Sequence, residues 1–461
     1  MKISIIGRSV LKPINESEDI KVSQLFSADK VKRDMIIMAG KAAGICYMPD
    51  DYLSEGIQNN AKAIARASNN SKSGHYSTFE HGHINFIIEA DKIMAMILNS
   101  MGLYCTSEKS ARYTAMNPES EKEKELYAKW KKIFFDLIYA YYKETYNEKQ
   151  IEKLAMENAR YMISVFTPTV MEYTIPFNRI ILTCIWLDEL ADNINIAIEN
   201  NFKTIKSNET FYKRVGEECR ELARLFREQI NINTNDYIFN DHKRMGIELF
   251  YELSSMYKLK GLVDFTNPDE VDKVLGFCFS DNIPIKSNSF GDSYTSNYQA
   301  SFAEFAQAQR HRTLKYTIKV PDTHTCYVPR IIRNSKFELE WINDFNSLIS
   351  ENITPQGMLL NICEQGRFED FVTKCKERLC SRAQLEIMEV TRDQVCQFAI
   401  YKNNLNPVNM AILMDMISYK DNNYASNSMN IQVEARCNYA GYICKEPCSI
   451  GRALSNYYRN V

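Results

Sequence analysis

Two stretches far apart in the chain carry side chains suited to holding an anion. In "TSEKSARY", residues 106–113, Ser110 and Arg112 lie on one side of an extended segment. Turn N–H groups beside them would cradle a phosphate, and a guanidinium adds a bidentate donor. A solvated loop is the competing reading. In "AEFAQAQRHRTLKYTIKV", residues 303–320, Arg310, His311 and Arg312 stand in a row. They form a cationic triplet that repels itself until an anion neutralises it. Gln307 precedes Arg310 by three residues, so on a helix the two share a face and address one ligand. A third stretch, "GHYSTFEHGHINFIIEA", gathers His75, Glu80, His81 and His83. It lacks the H-E-x-x-H spacing of a zinc site, so a polar or ligand-binding turn entering a strand is the better reading.

These side chains belong to a chain of 461 residues, 45% hydrophobic and 25% charged, the composition of a globular protein with room for two or three domains. A formal net charge of −2 excludes a general polyanion binder, so any phosphate site is local and no nucleic-acid polymer is expected as a partner. The opening "MKISIIGRSVLKP" has too short an apolar run for a signal peptide, and no stretch reaches the length of a membrane span. The expectation is a cytoplasmic protein. Thirteen cysteines lack the paired spacing of a disulfide framework. Cys437, Cys444 and Cys448 cluster without an evident fourth ligand, which favours structural thiols over a metal.

The elements that position these residues repeat. Ile93, Met94, Ile97, Leu98 and Met101 recur at helical spacing in the first half, and Phe302, Phe305 and Ala306 do so in the second. Each run is followed by a charged helix with a tryptophan, "ELYAKWKKIFFDLIYAYY" and "FELEWINDFNSLI". Pairing Ser100 with Arg310 gives an offset of 210, and pairing Trp130 with Trp341 gives 211. Two independent features in one register predict a duplicated unit. The boundary is expected in "INTNDYIFNDHKRM", with a first repeat over 1–235 and a second over 236–461. Long helices are predicted over "NEKQIEKLAMENARYMISVF" and "FEDFVTKCKERLCSRAQLEIMEVTRDQV", and a strand over 83–89. The expected class is α+β: two repeats, each a small mixed or antiparallel sheet with packed long helices.

The run from His75 to Tyr113 resembles the flavin-dependent thymidylate synthases, the ThyX family. His75, Phe79, Glu80 and His81 match its upstream signature, and Ala42, Ala43, Ile45, Cys46 and Tyr47 resemble an earlier segment. Glu108, Ser110, Arg112 and Tyr113 match its E-x-S-G-R-Y loop, with Ala111 in place of glycine. The family places an R-H-R triplet seven residues before that serine. The first half reads Ser100, Met101, Gly102 at the triplet, whereas the second half keeps Arg310, His311 and Arg312 but has Val320 in place of the serine. Each half keeps what the other has lost. Arg160 in "ENARYMISV", Gln307, and Arg378 ahead of "RAQLEI" match further family positions, each only in the half that keeps the adjoining motif. Two departures fall on the flavin side: Arg382 replaces a flavin-contacting histidine, and Asn178–Arg179 is an uncertain match to an Asn-x-Arg pair.

The resemblance implies two fused subunits with composite sites, and a homodimer that restores a tetramer-like assembly. It implies reductive methylation of dUMP at C5 to dTMP, with FAD as cofactor and NADPH and methylenetetrahydrofolate as co-substrates. In that chemistry the cofactor carries the hydride while the protein orients and stabilises charge. The implied nucleotide set is Glu108, Ser110, Arg112, Arg160, Gln307, Arg310 and Arg378, with Arg310 and Arg378 the catalytic pair. The implied flavin set is His75, Ser77, Glu80, Arg310, His311 and Arg312, with no metal. Alternatives are another flavin-dependent pyrimidine C5-modifying enzyme, such as a UMP methylase or hydroxymethylase, and an inactive nucleotide-binding homologue.

Overall fold

Alternation of apolar and polar residues makes the strands. In "HINFIIEAD", Ile84, Phe86 and Ile88 are fully buried while their neighbours face outward, the period of a half-buried strand. The computed structural model describes residues 1–10, 26–47, 53–100, 104–112, 114–199, 206–243, 287–380, 382–419, 431–439 and 441–443. The elements that bear on the site are, in chain order, β1 (Lys2–Arg8), α1 (Ala28–Tyr47), α2 (Asn60–Lys72), β2 (His83–Asp91), α3 (Lys92–Asn99) and β3 (Cys105–Glu108). Next come α4 (Glu121–Tyr142), α5 (Glu148–Ala159), β4 (Pro168–Pro176), α6 (Phe177–Glu199), α7 (Glu209–Gln229) and β5 (Ser293–Ser301). The last are α8 (Phe302–Ala308), β6 (Lys315–Lys319), α9 (Lys336–Ser350), β7 (Leu359–Arg367), α10 (Phe368–Arg378) and α11 (Leu385–Ile400). The class is α+β, with small antiparallel sheets and long helices. Among the described residues no helix is long and apolar enough to cross a membrane.

Packing divides the chain into two compact units that interleave in sequence. One comprises Met1–Lys109 and Thr169–Leu275, the other Ser110–Pro168 and Gly276–Val461. This partition cuts across the one expected at 235/236, because residues 110–168 fold with the C-terminal part. Part of the expected boundary stretch, residues 244 and 245, lies outside the described residues.

The N-terminal unit is built on a four-stranded sheet of order β1-β2-β4-β3. β1 pairs antiparallel with β2, and β3 with β4. Phe86 of β2 meets Phe226 of α7 edge-on at 5.2 Å. Helices α1 and α2 approach so closely that a Cβ on Gly40 would fall 1.8 Å from the Ala63 carbonyl oxygen, which reserves that position for glycine.

The C-terminal unit holds a three-stranded antiparallel sheet of order β5-β7-β6. A short backbone ladder ties its two chain segments together: Val165 N donates to Thr354 O at 2.9 Å, Gln356 N to Ile163 O at 2.7 Å, and Gly357 N to Tyr161 O at 2.9 Å. A Cβ on Gly357 would sit 2.8 Å from that last carbonyl. The tryptophans of α4 and α9 meet edge-on, with ring centroids 4.8 Å apart. Trp130 Nε1 donates to Asp344 at 2.9 Å and Trp341 Nε1 to the Tyr327 carbonyl at 2.9 Å, so both buried indoles are satisfied.

The two sheets repeat one plan. β2 runs 83–91 and β5 293–301, α3 starts at 92 and α8 at 302, and β3 starts at 105 and β6 at 315, each an offset of 210. The orders β2-β4-β3 and β5-β7-β6 are the same. Trp341→Ala is expected to cost about 3–5 kcal/mol of unfolding free energy in chemical denaturation. Combined with Trp130→Ala it should show a coupling of about 0.5–1.5 kcal/mol, the edge-to-face contact.

Candidate active site

The arginine loop is shaped by a serine. Ser110 Oγ accepts from the Arg112 backbone N–H at 3.2 Å, and its carbonyl accepts from Thr114 N at 3.1 Å, closing a tight turn. Arg112 Nε donates to the buried Glu157 carboxylate on α5, and Nη2 donates to the Arg382 carbonyl at 2.5 Å. Arg160 caps the C-terminal end of α5, where the helix dipole favours a cation. It is buried, which lowers its pKa, yet a guanidinium stays charged. Its Nη2 donates to Gln384 Oε1 at 2.6 Å, and its Nε has no hydrogen-bond partner among the described residues.

The facing wall comes from α8 and from a break between α10 and α11. The sequence predicts one helix through this region, but α10 ends at Arg378 and α11 starts at Leu385. The chain leaves helical geometry at Leu379, whose carbonyl accepts from Arg436 N at 2.9 Å instead of continuing the helix. The break brings Gln384 to the centre of the site. Its Oε1 accepts from Arg160 Nη2 and from Gln307 Nε2, and its Nε2 donates to the Tyr161 hydroxyl. Tyr161 in turn donates to Glu386 at 2.9 Å, and Glu386 accepts from Ser301 N at 2.8 Å and Oγ at 2.7 Å.

Arg378 Nε donates to His311 Nε2 at 2.8 Å, and Nη2 to the Gln307 carbonyl at 3.1 Å. Burial, with Arg378 and Lys374 nearby, pushes the His311 pKa down to about 2. The imidazole is therefore neutral and carries its proton on Nδ1. The triplet is thus two arginines around an uncharged acceptor, not the three cations its spacing implied. Arg310 is half-buried and Arg312 exposed.

Ser110, Arg112, Arg160, Gln307, Arg310, His311, Arg312 and Arg378 all fall within the C-terminal unit. The remaining expected residues lie in the other unit. Glu108, on β3, pairs with Lys92 at 2.5 Å. His75 and Ser77 are exposed at the turn before β2, and Glu80 accepts from Asn178 Nδ2 at 3.2 Å and pairs with Arg179 at 3.0 Å. Cys437 is half-buried, while Cys444 and Cys448 lie outside the described residues. Sequence reasoning missed Gln384 and Glu386 as members of the site, although both stand in the matched "RAQLEI" stretch.

Comparison with known proteins bears on the first of these segments. Residues 32–179 match the family model Thy1, thymidylate synthase complementing protein. That stretch belongs to the Thy1 family. The Thy1 match includes Glu108, Ser110, Arg112 and Arg160 and ends before α8, α10 and α11. Among solved structures, thymidylate synthase X from Helicobacter pylori with FAD and dUMP is 15% identical over 52% of this chain and 99% of its own, with a TM-score of 0.29. The UMP/dUMP methylase PolB from Streptomyces cacaoi bound with 5-Br dUMP is 15% identical over 39% of this chain and 74% of its own, with a TM-score of 0.25. No curated protein matches the chain.

Beyond the Thy1 match, one buried carboxyl has no counterpart in the sequence reading. Glu304, in the first turn of α8, is fully buried, and neither of its oxygens has a hydrogen-bond partner among the described residues. Lys374 is already committed to Glu364 at 2.6 Å and Gln394 at 3.0 Å. Burial, reinforced by Glu386 and Glu364 against the opposing Lys374, raises the Glu304 pKa from 4.5 to about 8. The folded protein thus holds a proton that the unfolded chain releases. This contribution to stability is complete below about pH 4.5 and is lost as pH rises through about 8. Glu304→Gln is expected to leave thermal stability unchanged near pH 4.5 and to exceed the parent increasingly at higher pH. The difference grows by up to about 1.4 kcal/mol per pH unit across that window, read from melts at several pH values.

Proposed function

We propose that the protein is a flavin-dependent thymidylate synthase that methylates dUMP at C5 to dTMP, with its nucleotide site in the C-terminal unit. The observation that carries this reading is the convergence on Gln384 of Arg160, from the Thy1-matched segment, and Gln307, from "AQAQRHR". Two side chains more than a hundred residues apart in sequence share one oxygen and leave buried polar atoms, Arg160 Nε and Gln307 Oε1, without partners among the described residues. Buried polar groups demand partners, and a nucleotide supplies them. We further read the two units as fused, diverged subunits, supported by the shared strand order and the offset of 210. The homodimer remains part of this proposal.

In this reading Ser110 and Arg112 present a turn and a guanidinium to the phosphate, with Glu157 and the Arg382 carbonyl fixing the arginine plane. Arg378 is held through Nε by neutral His311 and through Nη2 by the Gln307 carbonyl, which leaves Nη1 to stabilise charge developing on the pyrimidine. Arg310 supplies a second cation to the same ligand. Bound flavin supplies hydride chemistry, with methylenetetrahydrofolate as the carbon source and NADPH as reductant. Two basic side chains, Arg310 and exposed Arg312, suit a pyrophosphate, and we confine the flavin reading to this corner with His311 as their positioning neighbour. The dTMP reading predicts rescue of a thymidine auxotroph. Arg378→Ala should lower turnover by about 10²–10³-fold with the fold intact. Failure of rescue by a flavin-loaded, folded protein would sink it.

One observation favours a second reading. Arg382 stands where the resemblance calls for a flavin-contacting histidine, and its carbonyl is engaged by Arg112. A changed flavin side would suit a related C5 modification, including UMP methylation or hydroxymethylation. Mass analysis of products from dUMP and UMP separates these outcomes.

A further inference from the structure

At the C-terminal end of α4 a surface cleft of about 610 Å³ opens against the turn that leads into α9. Tyr141, Tyr142, Arg330, Ile331, Arg333 and Asn334 line it, and none of them belongs to the site described above. Small-molecule sites span roughly 300–1,000 Å³, so the cleft has the size of one. A short 3-10 stretch, Arg330–Ile332, forms the turn, and Asn334 completes it in the left-handed region at φ 58°, which asparagine tolerates. The turn sets two guanidiniums on one carboxylate of α11. Arg330 Nη1 lies 3.6 Å from Glu389 Oε1, and Arg333 Nη2 lies 3.5 Å from Oε2. Two arginines against one carboxylate leave a net positive charge, and the next charges along the chain, Lys336 and Glu338, cancel each other.

Arg333 is held on three sides. Its Nε donates to the Val328 carbonyl at 2.8 Å, its Nη2 faces Glu389, and its guanidinium lies over the Tyr327 ring, 5.3 Å from the centroid. Tyr327 is fixed in turn: its carbonyl accepts from Trp341 Nε1 at 2.9 Å, and its ring centroid is 4.9 Å from that of Tyr161. Arg333 Nη1 is left without a partner among the described residues. A guanidinium oriented in advance loses little freedom on meeting an anion. Two aromatic rings share the cleft with it, Tyr142 half-buried and Tyr141 71% exposed. We infer that this cleft is an additional binding site for a nucleoside phosphate, with the phosphates on Arg333 and Arg330 and the base stacked on Tyr141. Base stacking on an exposed aromatic ring and phosphate pairing with arginine each add affinity. The inference is independent of the function proposed above, because the two sites share no residue.

Calorimetric titration of the full chain with ADP, adenosine and inorganic pyrophosphate tests it. ADP should bind the parent at least about tenfold more tightly than either fragment, since it joins ring and anion in one molecule. Arg333→Ala should weaken ADP about tenfold or more. Tyr141→Ala should weaken ADP about fivefold while leaving pyrophosphate unchanged, and Tyr141→Phe, which keeps the ring, should bind as the parent does. The high exposure of Tyr141 keeps its variants folded, so they decide the matter even if Arg333→Ala does not fold. Arg378→Ala, in the other site, should leave ADP affinity unchanged. A parent that does not bind ADP, or ADP affinity undiminished in the Arg333→Ala and Tyr141→Ala variants, would overturn the inference. So would loss of ADP binding in Arg378→Ala alone, which would assign the ligand to the other site.

Discussion

Everything in the C-terminal unit depends on a ladder of three backbone hydrogen bonds between residues 161–165 and 354–357. It fastens a segment from the first half of the chain to one from the second half. Backbone pairing of this kind tolerates little displacement, because each donor and acceptor is buried and has no substitute partner. Gly357 lets the two strands approach, and the paired indoles of Trp130 and Trp341 close the space beside them. Tyr161 anchors one end of the ladder and Arg160 directly precedes it, so the same geometry that joins the segments also aims two site residues at Gln384.

The site is organised by what its polar atoms lack as much as by what they hold. Arg112 is tethered at both ends of its guanidinium, and Arg378 is tethered by a histidine that burial keeps neutral. Neutrality makes His311 useful, since an imidazolium could not accept from Arg378. Around these rigid donors sit atoms with nothing to bind among the described residues: Arg160 Nε, Gln307 Oε1 and the Glu304 carboxyl. A buried protonated acid beside a buried Lys374–Glu364 pair shows how closely charge is balanced beneath the sheet.

Much of this was legible from residue pattern. The alternation in "HINFIIEAD" marked β2, and Ser110, Arg112, Gln307 and Arg310, expected to act together from the family resemblance, fall in one unit. The break after Arg378 was not legible, because Leu379 and Ala383 continue an apolar pattern and no glycine or proline interrupts it. Tertiary pairing of the Leu379 carbonyl with Arg436 decided it. The charge of His311 was likewise hidden, since spacing gives proximity but not burial. Interleaving of the two units was hidden too, because a repeat in sequence says nothing about which partner each segment packs on.

That interleaving reaches into biosynthesis. The ladder cannot close until residue 357 has left the ribosome, nearly two hundred residues after residue 165. At ordinary elongation rates the apolar faces of α4 and α5 wait on the order of 10–40 s for α9 and β7. The sides of α4 and α5 that meet the later segments therefore stay uncovered for that interval.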